Sequence, residues 1–342
     1  MDFQTIWFIL WGVLWAVYFM LDGFDFGVGM LLNFIGKNDT EKRVIINTIG
    51  SVWDGNMTWL VTAGGATFAA FPTTYALMFS YLYTPLLMIL FALIIRGVAF
   101  EFRGKGESET WKKGWDIAIF LGSLLPALLF GVAFGNIFQG LPMDADGYHG
   151  TLFTLLNPYG LVTGVLFVLL FIVHGALWLS FRTNGDISAR ASKIADNTWY
   201  LLVAIAVLFL ADTAFATNLY SNYISNLIWF VIPVIAVLAL LGIKLFISKG
   251  QPVKAFYSSC ITILMVTFTG VIGLYPNLIP SSIDPQYSLT IFNSSSSDYT
   301  LKIMTVVALL LVPIVIAYQI WIYRIFRQKV TKEDIVKDKE AY

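Results

Sequence analysis

Residues 44–71 read VIINTIGSVWDGNMTWLVTAGGATFAAF. The run is long and apolar enough to cross a membrane, for which a helix needs about 20 such residues. Yet a carboxylate, Asp54, and an amide, Asn56, sit within it. An ionisable group inside a span is costly and marks a functional site by default. Asn47, Ser51, Asp54, Thr58 and Thr62 follow one another at spacings of four, three, four and four. On a continuous helix that spacing gathers them on one face, with Asp54 about 15 Å along from Val44. An exchangeable carboxylate flanked by hydroxyls and an amide that hold water is the chemistry a proton-conducting chain needs.

The rest of the chain has the same character. Its 342 residues are 58% hydrophobic and 12% charged with a mean hydropathy of +0.76, which implies an all-α integral membrane protein. Nine spans are expected, at residues 6–34, 44–71, 75–100, 115–139, 158–181, 198–217, 228–247, 256–275 and 301–324. No cleavable leader is evident, because residues 1–5 carry no Lys or Arg and the first apolar run is long enough to span. Of the 21 Lys and Arg, all but Arg96 and Lys302 fall after odd-numbered spans or in the tail. The intervening loops carry Asp144, Asp146, Asp284 and Asp298 instead. The positive-inside rule then puts the N-terminus outside and the C-terminal tail in the cytoplasm, which requires an odd number of spans.

Loop lengths divide the chain into a first four-helix bundle (1–140), an outer loop (141–157) and a second four-helix bundle (158–276). A second outer loop (277–300), a ninth helix (301–324) and a cytoplasmic tail (325–342) follow. The two bundles read as a parallel repeat. The polar second outer loop is expected to be exposed and free to pack on a partner. The tail alternates charges and is expected to be a solvated helix or disordered.

Further polar groups lie inside the expected spans. Asp22 and Asp25 are three apart and share a helix face, about 13–18 Å from the cytoplasmic end of the first span. Gly23 and Gly27 make a smooth strip for a neighbouring helix. Arg96, with Glu101 beyond it, sits at a depth where it could neutralise either aspartate, and the pair Arg96–Asp25 reads first as a structural ion pair. His174 reads as a packing residue before a haem ligand, because one intramembrane histidine cannot fill two axial positions and His149 is in a loop. Asp212 lies in the outer half of the sixth span, where it could simply bond backbone. The lone Cys260 can form neither an internal disulfide nor a cysteine metal site. No phosphate loop, catalytic triad, metal cluster or nucleic-acid patch stands out, so any redox cofactor is expected on a partner.

Several motifs together resemble a known family. They are Asp22-Gly23-Phe24-Asp25-Phe26-Gly27-Val28-Gly29, Trp53-Asp54-Gly55-Asn56, Thr62-Ala63-Gly64-Gly65-Ala66 and Gly131-Val132-Ala133-Phe134-Gly135-Asn136. Leu156-Asn157-Pro158-Tyr159-Gly160-Leu161, Pro280-Ser281-Ser282 and the segment 325–335 with Thr331-Lys332-Glu333-Asp334-Ile335 extend the match along the whole chain. The pattern is similar to subunit II of cytochrome bd quinol oxidases. That resemblance implies a multi-pass protein of a bacterial or archaeal cell membrane, itself without haem. It would pair with a subunit I that carries two b haems, haem d and the quinol site. It further implies a complex that oxidises quinol and reduces oxygen to water, with a proton route at Asp54. A small single-span accessory subunit and membrane lipid are further partners it allows; nucleic acid is not one. A proton-coupled secondary transporter is the alternative, since transporters also use intramembrane carboxylates. Against it stand the parallel halves and the lack of paired Gly/Pro-broken spans at matching positions. A purely structural scaffold subunit is the third reading.

Overall fold

The structure, a computed structural model, describes residues 2–337. Its helices are α1 (Phe3–Ile35), α2 (Asp39–Asn47), α3 (Trp53–Ala70), α4 (Pro72–Tyr81), α5 (Tyr83–Arg103), α6 (Glu109–Gln139) and α7 (Pro158–Arg182). They continue as α8 (Gly185–Ala216), α9 (Tyr220–Ser225), α10 (Val231–Ser248), α11 (Pro252–Leu274), α12 (Asp298–Ile325) and α13 (Lys332–Lys337). Two short hairpins, β1 (Met143–Asp144) with β2 (Gly147–Tyr148) and β3 (Asn277–Ile279) with β4 (Leu289–Thr290), lie in the loops. Among the described residues, eight helical segments are long and apolar enough to cross a membrane.

The run 44–71 is not one of the eight: it is not one helix, and its longer piece, the 18-residue α3, carries too many polar residues to count among the apolar segments. The chain turns at residues 48–52, between α2 and α3. Thr-Ile-Gly-Ser-Val is poor helix-forming sequence, rich in β-branched residues and glycine. The Thr48 hydroxyl donates to the Ile45 carbonyl at 2.7 Å, and the Trp178 indole donates to the Thr48 carbonyl at 3.2 Å. The turn is thereby satisfied without a continuous helical ladder. The third expected span is also divided, at Leu82, directly after Tyr81, whose carbonyl would have accepted from the N–H that Pro85 lacks.

α1 is the centre of the molecule and packs on α3, α6, α7 and α11. In the first half α1 meets α3 and α6 while α5 meets α6; in the second, α7 meets α8 and α11 while α10 meets α11. The halves meet where α1 crosses α7. A Cβ placed on Gly27 would lie 2.8 Å from the Gly175 Cα and closer still to the Phe171 carbonyl, and one on Gly23 would meet the Phe171 ring at 2.7 Å. The glycine strip thus sets the approach of the two backbones, as small residues do in membrane interfaces. Phe19 joins the same seam, 5.0 Å from the Phe167 ring and 5.3 Å from that of Phe134.

Two expectations about the loops are corrected. The second outer loop is packed onto the chain: Leu278, Ile279 and Ile291 are buried. Leu141 N–H donates to Pro280 O and Ser296 N–H to Ala70 O, each at 2.9 Å. The start of the tail is likewise docked, although Lys339 and the rest of 338–342 lie outside the described residues. Val330 N–H donates to Arg182 O at 2.9 Å, Lys332 reaches Glu41 at 3.2 Å, and Ile335 is 3% exposed. One apolar side chain among alternating charges was enough to anchor the segment.

Candidate functional site

Breaking the second span changes what the polar stripe is. Asn47 ends α2 and donates to Arg43 O at 2.8 Å, while Ser51 is in the turn. Asp54, Thr58 and Thr62 remain together on α3, and all three are exposed. Asp54 now stands in the first turn of α3, where unpaired N–H groups and the helix dipole favour a negative charge. Its Oδ1 accepts from Gly55 N–H at 2.7 Å. Thr58 donates its hydroxyl proton to Gly55 O at 2.6 Å and Thr62 donates to Thr58 O at 2.9 Å. The outward side of this stripe is therefore a carboxylate at the start of α3 followed by a row of acceptor lone pairs further along the helix.

Behind it lies a buried charged cluster. Asp22, Asp25, Arg96 and Asn56 are all fully buried. Arg96 Nη2 donates to Asp22 Oδ1 at 2.7 Å, so the ion pair is with Asp22 and not with Asp25. Residues three apart on a helix differ by about 60° around its axis, enough to aim Asp22 at α5 and Asp25 at α3. There Asp25 Oδ2 accepts from Asn56 Nδ2 at 2.8 Å. The Arg96 guanidinium also lies over the Phe26 ring, 4.3 Å from its centroid. Glu101 stays exposed and takes no place among these buried groups.

Asn56, noted in the sequence as an amide within the second span but given no role there, turns out to be a junction. Its Oδ1 accepts from Gln319 Nε2 at 3.0 Å and from Tyr323 Oη at 2.8 Å. Its Nδ2 also reaches the Leu21 carbonyl at 3.3 Å. One amide therefore joins α1, α3 and α12. The signal was present: Gln319 and Tyr323 are four apart, a polar pair on one face of an apolar span.

On the basic side, Arg103 bonds Asp116 at 2.6 Å and Asp39 at 2.9 Å, while Lys42 and Lys112 complete a network joining α2, α5 and α6. Glu41 accepts from Arg190 at 2.5 Å and from Lys332. Burial pushes the Glu41 carboxyl up, but the Lys37 backbone N–H, Lys332 and Arg190 outweigh it and hold the group below its ordinary value.

His174 does not fit a haem. Its Nδ1 pairs with Ser259 Oγ at 2.6 Å, its Nε2 meets the Met20 carbonyl at 2.9 Å, and its ring stacks on Phe256 at 4.6 Å. Both nitrogens and one face are taken. Among the described residues no group of three or more His, Cys, Asp or Glu could hold a metal ion. Asp212 is half-buried in α8.

These features define a polytopic helical membrane subunit with intramembrane carboxylates, one set buried and one facing outward. The family model for cytochrome bd terminal oxidase subunit II matches residues 3–326. The chain belongs to that family. It is similar to cytochrome bd ubiquinol oxidase subunit 2 of Bacillus subtilis, 41% identical over 97% of this chain and 98% of that protein. It is also similar to cytochrome bd-I ubiquinol oxidase subunit 2 of Escherichia coli, 37% identical over 99% and 98%. Its fold matches a chain in the structure of bd oxidase from Geobacillus thermodenitrificans, with a TM-score of 0.80 at 18% identity over 95% of this chain and 99% of that one. It is thus a multi-pass membrane protein and a subunit of an oxidoreductase complex. The transporter alternative is overturned by this membership.

Proposed function

We propose that this chain stands beside a haem-bearing subunit I in a complex that oxidises quinol and reduces oxygen to water, and that it supplies the cytoplasmic protons. That its relatives are subunit 2 of ubiquinol oxidases supports quinol as the substrate. The observation that carries the proton route is the exposed stripe Asp54–Thr58–Thr62 on a helix lying among membrane spans. Facing lipid, a carboxylate there would be costly; facing a second subunit, it can share water. Asn47 and Ser51 border the break from which the stripe starts. A proton taken from water at the basic face would pass to the Asp54 carboxylate and on through water ordered by the threonine lone pairs. Its destination is the oxygen-reducing haem of the partner. The buried groups Asp22, Asp25 and Arg96 hold the helices behind the stripe in place.

The nine-span topology belongs to the same reading. α3 has 18 residues, about 27 Å of helix, and added to the eight longer segments it makes nine. The repeated pairing of helices in the two halves supports two parallel four-helix bundles plus α12, and the Lys and Arg distribution supports an N-terminus outside. The two b haems and haem d would reside on subunit I; a small accessory subunit would pack peripherally.

The test is Asp54→Asn in the assembled complex. Quinol-dependent oxygen uptake should fall sharply while the visible haem spectrum is retained. Unchanged turnover would refute the proton role, and joint loss of haem and turnover would favour the scaffold reading.

A further inference from the structure

α12 stands away from the body of the molecule. Its outer end is held by Gln4 on Asp298 at 2.7 Å and by the Trp7 indole on Leu301 O and Thr305, and its inner end by Asn56. At the inner tie lies a cleft of about 740 Å³ walled by α1, α3, α7, α11 and the inner part of α12, and its surface is mostly apolar. The cleft's polar side chains already donate inward, Gln319 and Tyr323 to Asn56 and Trp178 to Thr48 O. Its basic end is different. Arg182, Arg324 and Arg327 all line it there, at and just beyond the ends of α7 and α12.

None of these three arginines meets a carboxylate among the described residues, whereas Arg103, Arg190, Lys244 and Lys332 all do. Arg182 is 4% exposed, its Nε has no hydrogen-bond partner among the described residues, and the Trp178 ring lies 5.2 Å from its guanidinium. A buried, unpaired guanidinium is costly until an anion reaches it. Guanidinium groups also match phosphate oxygens in geometry. Apolar walls capped by unpaired arginines between membrane helices are the chemistry of a lipid headgroup site.

We propose that this cleft binds one anionic diacyl phospholipid, with its phosphate on Arg182, Arg324 and Arg327 and its acyl chains along the wall between α11 and α12. The lipid supplies the missing counter-charge at one end and fills the gap beside α12 at the other. A neutral quinone would leave the three cations unanswered.

The test is native mass spectrometry of the whole delipidated complex, titrated with dioleoyl phosphatidylglycerol or dioleoyl phosphatidylcholine. One phosphatidylglycerol should be retained in preference to phosphatidylcholine. The double variant R324Q/R327Q should weaken that adduct roughly thirtyfold, about fivefold for each cation near the membrane surface, while haem content stays unchanged. Cys260→Trp, which narrows the cleft and leaves the arginines intact, should weaken the adduct, since the acyl chains need the space. Equal retention of the two lipids, no effect of R324Q/R327Q, or a quinone found in the cleft would each overturn the proposal. So would displacement of the lipid by millimolar inorganic phosphate acting alone.

Discussion

Replacing Arg96 by leucine would remove the cation bonded to Asp22 inside the bundle. Both partners are fully buried, and Asp22 Oδ2 and Asp25 Oδ1 have no hydrogen-bond partner among the described residues. Removing one member of a buried ion pair typically costs 3–5 kcal/mol, about the scale expected here, because the remaining charge has nowhere to go. The contact of the guanidinium with Phe26 adds about 1–2 kcal/mol and puts the loss at the upper end of that range. The assay is heat stability and yield of the purified complex, read alongside haem content. A second change shows which carboxylate is the partner. Arg96→Leu combined with Asp22→Leu should recover most of the loss, since an apolar pair can replace a buried ion pair at little cost. Combined with Asp25→Leu it should not, because that change takes the acceptor from Asn56 Nδ2. Wild-type stability for Arg96→Leu, or equal rescue by the two aspartate changes, would refute the reasoning.

Other consequences are as specific. Asn56→Val leaves the donors of Gln319 and Tyr323 unmet, at about 1–3 kcal/mol each, and should loosen α12; faster hydrogen exchange at residues 316–325 would register it. Gly27→Ala should separate α1 from α7 and lower complex yield, at a cost of about 1–3 kcal/mol, whereas Gly114→Ala, with open space around its Cβ, should be neutral in the same measurement. Docking of the tail should depend on pH through Glu41. Its folded value is depressed, so the stabilisation is present above the ordinary value of 4.5 and is lost as pH falls through the lower folded value. Exchange at the Val330 amide should rise in that window, and Glu41→Gln should produce the same rise at neutral pH.

The apolar runs made the membrane-spanning helices readable, because each such run must satisfy its backbone internally to survive in lipid. Hydropathy does not report where a ladder stops. Residues 48–52 do not stand out by hydropathy, and their poor helix propensity becomes a break where the bonds of Thr48 and Trp178 satisfy the turn. That break divided a five-residue stripe into the three residues of α3 and two bordering ones. Depth along the helices placed Arg96 near both aspartates, but the choice of Asp22 rested on the 60° between two side chains and on a donor, Asn56, from another helix. The packed outer loop and docked tail were missed for one reason. Single buried side chains such as Ile291 and Ile335 decide them, and no periodic pattern announces a single residue.

The clasp at Asn56 has a bearing on how the chain is made. A ribosome delivers α1 and α3 to the membrane long before α12, so during that interval the Asn56 oxygen has neither of the donors it will keep. When α12 arrives, Gln319 and Tyr323 close the amide, Trp7 takes the far end, and Val330 fastens the following segment to the end of α7. Late-inserted residues thus seal early ones, and an unfinished chain carries an open polar seam that the finished one lacks.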